Sequence, residues 1–161
     1  MIRYARPEDH AAIAEVNVLA FGGPDEARLV ERLRADGDVL FELVALENGE
    51  LTGHILFSRL FADRAELFAA LAPMAVRPGL QRAGTGSALV RAALESAKEF
   101  GAHGVLVLGH RAYYPRFGFL AETAANVESP YSGSPSFMAL ALEKGAFDRP
   151  LVVAYPDAFS A

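Results

Sequence analysis

Met74-Ala75-Val76-Arg77-Pro78-Gly79-Leu80-Gln81-Arg82-Ala83-Gly84-Thr85-Gly86-Ser87 is a short apolar run that breaks into a glycine-rich, basic loop and then opens a helix. Backbone N–H groups at a helix N-terminus lack intrahelical partners and carry the positive end of the helix dipole, so this shape is an anion cradle that needs no charged side chain. Gly84 and Gly86 let the backbone approach closely. Spacing argues against two phosphate-binding patterns. Gly79 to Gly84 has the span of a Walker A loop, but Thr85 and Gly86 stand where Lys and Ser/Thr are required. Gly84-Thr85-Gly86 begins a dinucleotide fingerprint, yet its third glycine position holds Leu89 and no acidic residue ends the next strand. On these residues alone, an ordinary strand-to-helix turn with packing glycines stays open.

Upstream, Glu66 to Val76 reads as a long strand interrupted by Pro73, which has no N–H for a ladder and so implies a bulge or an unpaired edge. A strand that loses pairing on one side as it reaches the cradle leaves a slot for a ligand with amide groups of its own. Downstream, Thr85 to Phe100 sets Leu89, Ala93, Ser96 and Phe100 on one small and apolar stripe and stops at Gly101, the pattern of a helix seated on a sheet. Val105-Leu106-Val107-Leu108 follows as a strand buried on both faces. The strands on either side of this helix are therefore expected to be parallel.

Further out, Ile2 to Ala5 reads as a first strand, and Pro7, Glu8 and Asp9 open a helix over about 8 to 20, ended by Phe21-Gly22-Gly23-Pro24. Asp25 is the expected N-cap of a second helix, with Leu29 and Leu33 on its apolar stripe and Gly37 after its end. Glu31, Arg32 and Arg34 read as its solvated face, whereas Glu26 in the first turn is placed to reach a substrate site. Phe41 to Leu46 and Leu51 to Leu60 flank Asn48-Gly49, a hairpin signal, and are antiparallel. His54 and Ser58 share one face there, and His54 reads as a structural histidine before it reads as a base. Arg111 to Phe119 is an aromatic segment with room for one short helix. Ser129 to Ser136 is a loop, Phe137 to Glu143 a late strand, and Leu151 to Tyr155 a final strand or edge.

The 161 residues fit one domain, 1–161, and at 52% apolar and 22% charged they supply a real core without an apolar run near the ~18 residues of a spanning helix. No membrane association is expected. Met1-Ile2-Arg3-Tyr4 runs straight into structured sequence without a signal-peptide core, which makes the cytoplasm the expected compartment. The absence of cysteine excludes disulfides, thiolate metal sites and a thiol nucleophile, so any acyl transfer is expected to be direct. A net charge of −5 argues against nucleic-acid binding, but from Arg77 to Arg116 six basic residues accompany two acidic ones. A basic island therefore holds the cradle.

Gln81-Arg82-Ala83-Gly84-Thr85-Gly86 resembles the Q/R-x-x-G-x-G/A signature of the GNAT superfamily of acetyl-CoA-dependent N-acyltransferases, and Tyr114-Pro115-Arg116-Phe117-Gly118-Phe119 resembles the Y-x-x-x-G-F of the segment after that family's fifth strand. The two motifs occur in the family's order, behind two N-terminal helices and a hairpin. Gly53 to Ser58, Pro73 to Val76, Leu108-Gly109 and Ala112 to Phe119 are closer to a small bacterial branch, the YhbS type. The resemblance implies an α/β (α+β) fold with a mixed, mostly antiparallel central sheet splayed between the fourth and fifth strands and helices on both faces.

The same resemblance implies acetyl-CoA as acyl donor. The backbone of Met74, Ala75 and Val76 would lie along the pantetheine amides, and Gln81, Arg82, Ala83, Gly84, Thr85, Gly86 and Ser87 would surround the pyrophosphate, with Arg77 and Arg82 adding charge. Tyr114 aligns with the tyrosine that protonates the departing CoA thiolate, chemistry suited to a phenol, while Tyr113 reads as packing. No carboxylate lies between Leu71 and Val76, so Glu26, His54 or a water chain are the routes left for the amine's proton. No metal is implied. The acceptor is an unidentified primary amine, which the acidic remainder of the chain suggests is cationic. A homodimer stays open, as does a catalytically silent acyl-CoA sensor or scaffold.

Overall fold

Val39–Glu47 (β2) and Glu50–Arg59 (β3) pair antiparallel around Asn48 and Gly49 in the computed structural model, which describes residues 1–160. Both turn residues take positive φ, 52° and 79°, the geometry that matches the twist of paired strands. Onto this hairpin the chain adds β1 (Ile2–Tyr4), β5 (Leu67–Val76), β6 (Ala102–Leu108) and β8 (Phe137–Ala141). The resulting six-stranded sheet has the order β1-β2-β3-β5-β6-β8. Its one parallel pair is β5 with β6, because the helix α3 (Thr85–Glu99) crosses over between them. The sheet is mixed and mostly antiparallel, as expected.

The splay expected between the fourth and fifth strands lies between β5 and β6, since the two-residue β4 (Phe61–Ala62) shifts the count by one. Pairing of β5 with β6 runs from Leu67 opposite Ala102 to Leu71 opposite Val107 and stops. On its other side β5 continues against β3 as far as Val76 opposite Gly53. Pro73 sits within the register shift of that second ladder, on the stretch that has lost its β6 partner. The expected bulge and the expected open edge are both present.

Helices cover both faces. On one, Leu89, Val90, Ala93, Leu94 and Ala97 of α3 pack on Phe41, Leu43, Ile55, Phe57, Leu71 and Val107. Gly53 permits the close seating, because a Cβ there would stand 2.9 Å from the Leu89 Cδ1. Phe100 departs from its expected place on the buried stripe: it follows the last turn, 48% exposed, stacked on Phe41 at 5.4 Å. On the opposite face α1 (His10–Phe21) and α2 (Asp25–Ala35) contribute Ile13, Val16, Val30 and Leu33 against Val44, Leu56 and Ala75. Pro24 rather than Asp25 occupies the cap position of α2, and α1 is preceded by a tighter 3-10 turn at Pro7–Asp9.

The chain ends in a second, three-stranded sheet that sequence periodicity does not reveal. β9 (Leu151–Ala154) pairs antiparallel with β4 and parallel with β7 (Val127–Glu128). Leu151 and Val153 point inward onto Phe68, Leu106 and Phe137 and close the far end of the main sheet.

Candidate active site

The open edge of β5 leads directly into the loop before α3. Gln81 turns its side chain back, donating from Nε2 to the Val76 carbonyl at 3.1 Å, and Arg82 (φ 70°) and Gly84 (φ 92°) take left-handed conformations that curl the backbone into the first turn. Ala88 N–H is the first to join the α3 ladder, bonding Gly84 O at 3.0 Å. Among the described residues the N–H groups of Arg82, Gly84, Thr85, Gly86 and Ser87 donate to nothing. These are the donors a helix start leaves free, in a turn where Arg82 and Gly84 are left-handed.

Much of the basic island is engaged elsewhere. The Arg77 guanidinium lies 3.4 Å from Glu15 and 3.5 Å from Glu50 and donates to the Leu51 carbonyl at 3.3 Å, tying α1 to β3 rather than overhanging the loop. Arg116 stacks over the Tyr113 ring at 4.5 Å and Arg91 over Phe117 at 5.3 Å. Arg82 is exposed beside the free amides.

After β6 the chain makes a 3-10 turn, Tyr114–Phe117, with Pro115 in its first turn and Gly118 at φ 100° closing it. Tyr114 is thereby turned inward, 8% exposed, edge-on to Tyr113 at 5.1 Å and to Phe119 at 5.8 Å. Gly109 makes room for it, since any Cβ there would enter the Tyr114 ring. Burial, with a smaller contribution from Tyr113, pushes the Tyr114 phenol up to about 12. It therefore holds its proton at neutral pH. Tyr113, expected only to pack, places its hydroxyl 3.2 Å from Ser87 Oγ at the start of α3.

Both tyrosines line a cleft of about 410 Å³ that opens where β5 and β6 part. Leu71 to Met74 form one lip and Leu108 to His110 the other. Glu26 and Leu29 of α2, Phe21 at the end of α1, and Tyr131, Tyr155 and Phe159 from the C-terminal segments complete the wall. Glu26 thus shares a cavity with Tyr114 and Met74. It also borders a second cavity of about 430 Å³, between α2 and the 3-10 turn Asp157–Ser160, which includes no residue of the loop or the strand ends.

His54 lies outside the cleft. Fully buried on the α1 and α2 side of β3, it makes a 2.8 Å contact from Nε2 to Glu42 Oε1 and a 3.1 Å contact from Nδ1 to the Asn17 amide nitrogen. Arg34 grips the same carboxylate with two bonds of 2.9 and 2.8 Å. Burial lowers the His54 pKa despite Glu42. The neutral ring then donates from Nε2 and accepts from Asn17 at Nδ1. Burial opposes the charge on Glu42 as well, but the hydrogen bonds from His54 and Arg34 outweigh it and hold the carboxyl at about 2. This is a structural network joining α1, α2, β2 and β3. Among the described residues no cluster of three or more His, Asp or Glu side chains is arranged to hold a metal ion, and no helix is long and apolar enough to cross a membrane.

The chain matches the profile of the Acetyltransferase (GNAT) family over residues 10–119. It is 41% identical over 116 residues to the uncharacterized N-acetyltransferase YjhQ of Escherichia coli K12, covering 69% of this chain and 64% of that protein, under two thirds of its length. It is 33% identical over 138 residues to the uncharacterized N-acetyltransferase YhbS of the same organism, covering 84% and 83%. Two crystal structures share the fold closely. The Escherichia coli YhbS complex with CoA superposes at TM-score 0.91 with 30% identity, covering all of this chain and 92% of that one. A GNAT acetyltransferase of Brucella melitensis in complex with acetyl-CoA superposes at 0.81 with 34% identity, covering 99% and 97%.

Proposed function

The chain belongs to the GNAT acetyltransferase family, and on that premise we propose that it transfers acetyl from acetyl-CoA directly to a primary amine while both are bound. One observation carries the reading: β5 loses its β6 partner after Leu71 and runs, one side unpaired, into five free amides at the start of α3. The edge from Met74 to Val76 suits the amide-bearing pantetheine arm, and the amides of Arg82 and Gly84 to Ser87 suit a pyrophosphate. Two relatives with this fold are CoA and acetyl-CoA complexes, which supports the same donor here.

The remaining chemistry falls to the cleft. Attack of the amine nitrogen on the thioester carbon forms a C–N bond and breaks the C–S bond. The sulfur leaves with an electron pair and needs a proton, which Tyr114, a protonated phenol lining the cleft, would give as a general acid; the amine gives up its own. Glu26 and the exposed His110 imidazole are the groups in the cleft wall that can take that proton directly, with water as the alternative. Glu26 serves either in this role or as the acceptor's contact.

Thermal unfolding with acetyl-CoA tests the donor. At a concentration 100 times Kd, mass action adds about 2.7 kcal/mol, a rise of roughly 5–11 °C at 2–4 °C per kcal/mol for a chain of this size. An unchanged melting temperature at millimolar acetyl-CoA refutes the assignment. A shift without thiol release across an amine panel identifies a sensor instead of an enzyme.

A further inference from the structure

Away from the β5 and β6 ends, the described lining of the cleft is largely aromatic and includes one carboxylate, Glu26. Tyr131 and Tyr155 meet edge to face at 5.1 Å, Tyr155 and Phe159 at 5.3 Å, and Tyr131 leans on the buried Phe137 at 6.3 Å. Each ring is thus held by the next, and the rank is anchored in the core. Such a surface is formed before anything binds, so little side-chain freedom is lost on contact. Phe21, 45% exposed, and Leu29 face it from the helices. Among the described residues Glu26 is the only carboxylate side chain lining the cleft, it has no ion-pair partner, and no lysine or arginine lines the cleft with it.

We propose, resting on the acetyltransferase reading above, that the acceptor is a small arylalkylamine: one ammonium group on an apolar, flat body, with Glu26 as the ammonium anchor and the Tyr131–Tyr155–Phe159 rank as the seat for the ring. The charges decide against the other amine classes. A free amino acid brings a carboxylate, and the described cleft wall offers it no lysine or arginine. A polyamine or aminoglycoside brings several ammonium groups, and the wall offers a single acid. Size agrees, since about 410 Å³ is near the lower end of the ~300–1,000 Å³ of small-ligand pockets and also has to admit the thioester. The bound ammonium loses one proton to water to become the nucleophile. The nitrogen loses a second as the amide forms, the thiolate gains one from Tyr114, and the nitrogen's second proton restores the phenol through water.

Thiol release by the full chain is measured with saturating acetyl-CoA and, in separate arms, 2-phenylethylamine, tryptamine, spermidine and L-lysine. The expected result is a kcat/KM at least tenfold higher for the two arylalkylamines. Glu26→Gln is expected to raise their KM about 10- to 100-fold, the loss of a charged hydrogen bond, with kcat within about threefold and acetyl-CoA affinity by calorimetry unchanged. Tyr155→Leu should raise KM for the arylalkylamines and not for L-lysine. Preference for spermidine or L-lysine overturns this acceptor and leaves the acetyltransferase reading intact. A Glu26→Gln variant that loses kcat at constant KM makes Glu26 a base and overturns the anchor. No thiol release in any arm, from protein that binds acetyl-CoA, overturns both readings.

Discussion

The Tyr113 hydroxyl stands 3.2 Å from Ser87 Oγ, joining the aromatic turn after β6 to the first turn of α3. The same hydroxyl is 3.2 Å from where a Cβ on Gly86 would be, so the tyrosine lies directly against the start of α3. Tyr113→Phe removes a partly buried hydrogen bond worth about 0.5–1.5 kcal/mol and should lower the melting temperature by roughly 1–6 °C. Calorimetry on the variant should show weaker acetyl-CoA binding with kcat retained at saturation. Unchanged affinity would reduce Tyr113 to packing.

Tyr114→Phe keeps the buried ring and removes only the hydroxyl. Its kcat should fall about 10²- to 10⁴-fold, the usual contribution of a general acid, while acetyl-CoA affinity changes little. With the phenol pushed up to about 12, the wild-type rate should show no alkaline limb from this group below that pH. Its ionisation also bears on stability: the unfolded chain ionises near pH ~10 and the folded one resists, so stability declines as pH rises beyond about 10.

Gly109→Ala tests whether the position of that ring matters. The added methyl enters the Tyr114 ring, and the overpacking should cost about 1–3 kcal/mol. If transfer depends on where Tyr114 sits, the rate at saturating acetyl-CoA falls as in Tyr114→Phe, in protein that circular dichroism shows to be folded. A folded variant with the wild-type rate argues against a catalytic role for Tyr114.

Acid should loosen the far side of the sheet in stages. His54 is neutral in the fold, so the unfolded chain binds the extra proton first and stability falls as pH drops through the unfolded histidine value of about 6.5. Glu42, held at about 2 against a usual 4.5, adds stability that is complete above 4.5 and lost as pH falls toward 2. Urea midpoints measured from pH 7 to pH 3 should therefore decline across this range. At neutral pH, Glu42→Gln leaves the largely buried Arg34 unpaired and should cost about 3–5 kcal/mol.

The half of the site made by contiguous chain was legible in the residues. Gln81 to Ser87 announces its geometry because glycine and a helix start act locally, and Pro73 marks the open edge because a missing N–H is a property of one residue. Asn48-Gly49 fixes its hairpin for the same reason. The aromatic wall of the cleft is different in kind. Tyr131, Tyr155 and Phe159 come together only because β9 pairs with β7 at Val127 and Leu151, and no local period encodes a pairing between two such short strands. Arg77 shows the converse limit. Its place beside the cradle is plain in the sequence, but Glu15 and Glu50, distant along the chain, take its charge.

Sheet edges invite neighbouring chains, and proteins keep them short, charged or covered. Past Leu71, β5 presents such an edge in the middle of its own sheet, since β6 diverges without leaving. The unpaired stretch lies inside a cleft lined by Tyr114 and Leu108 rather than on the rim of the sheet, where a strand of another chain would pair. Reading the slot as a guarded edge explains how the protein can keep unsatisfied backbone at its centre without becoming a template for its own aggregation.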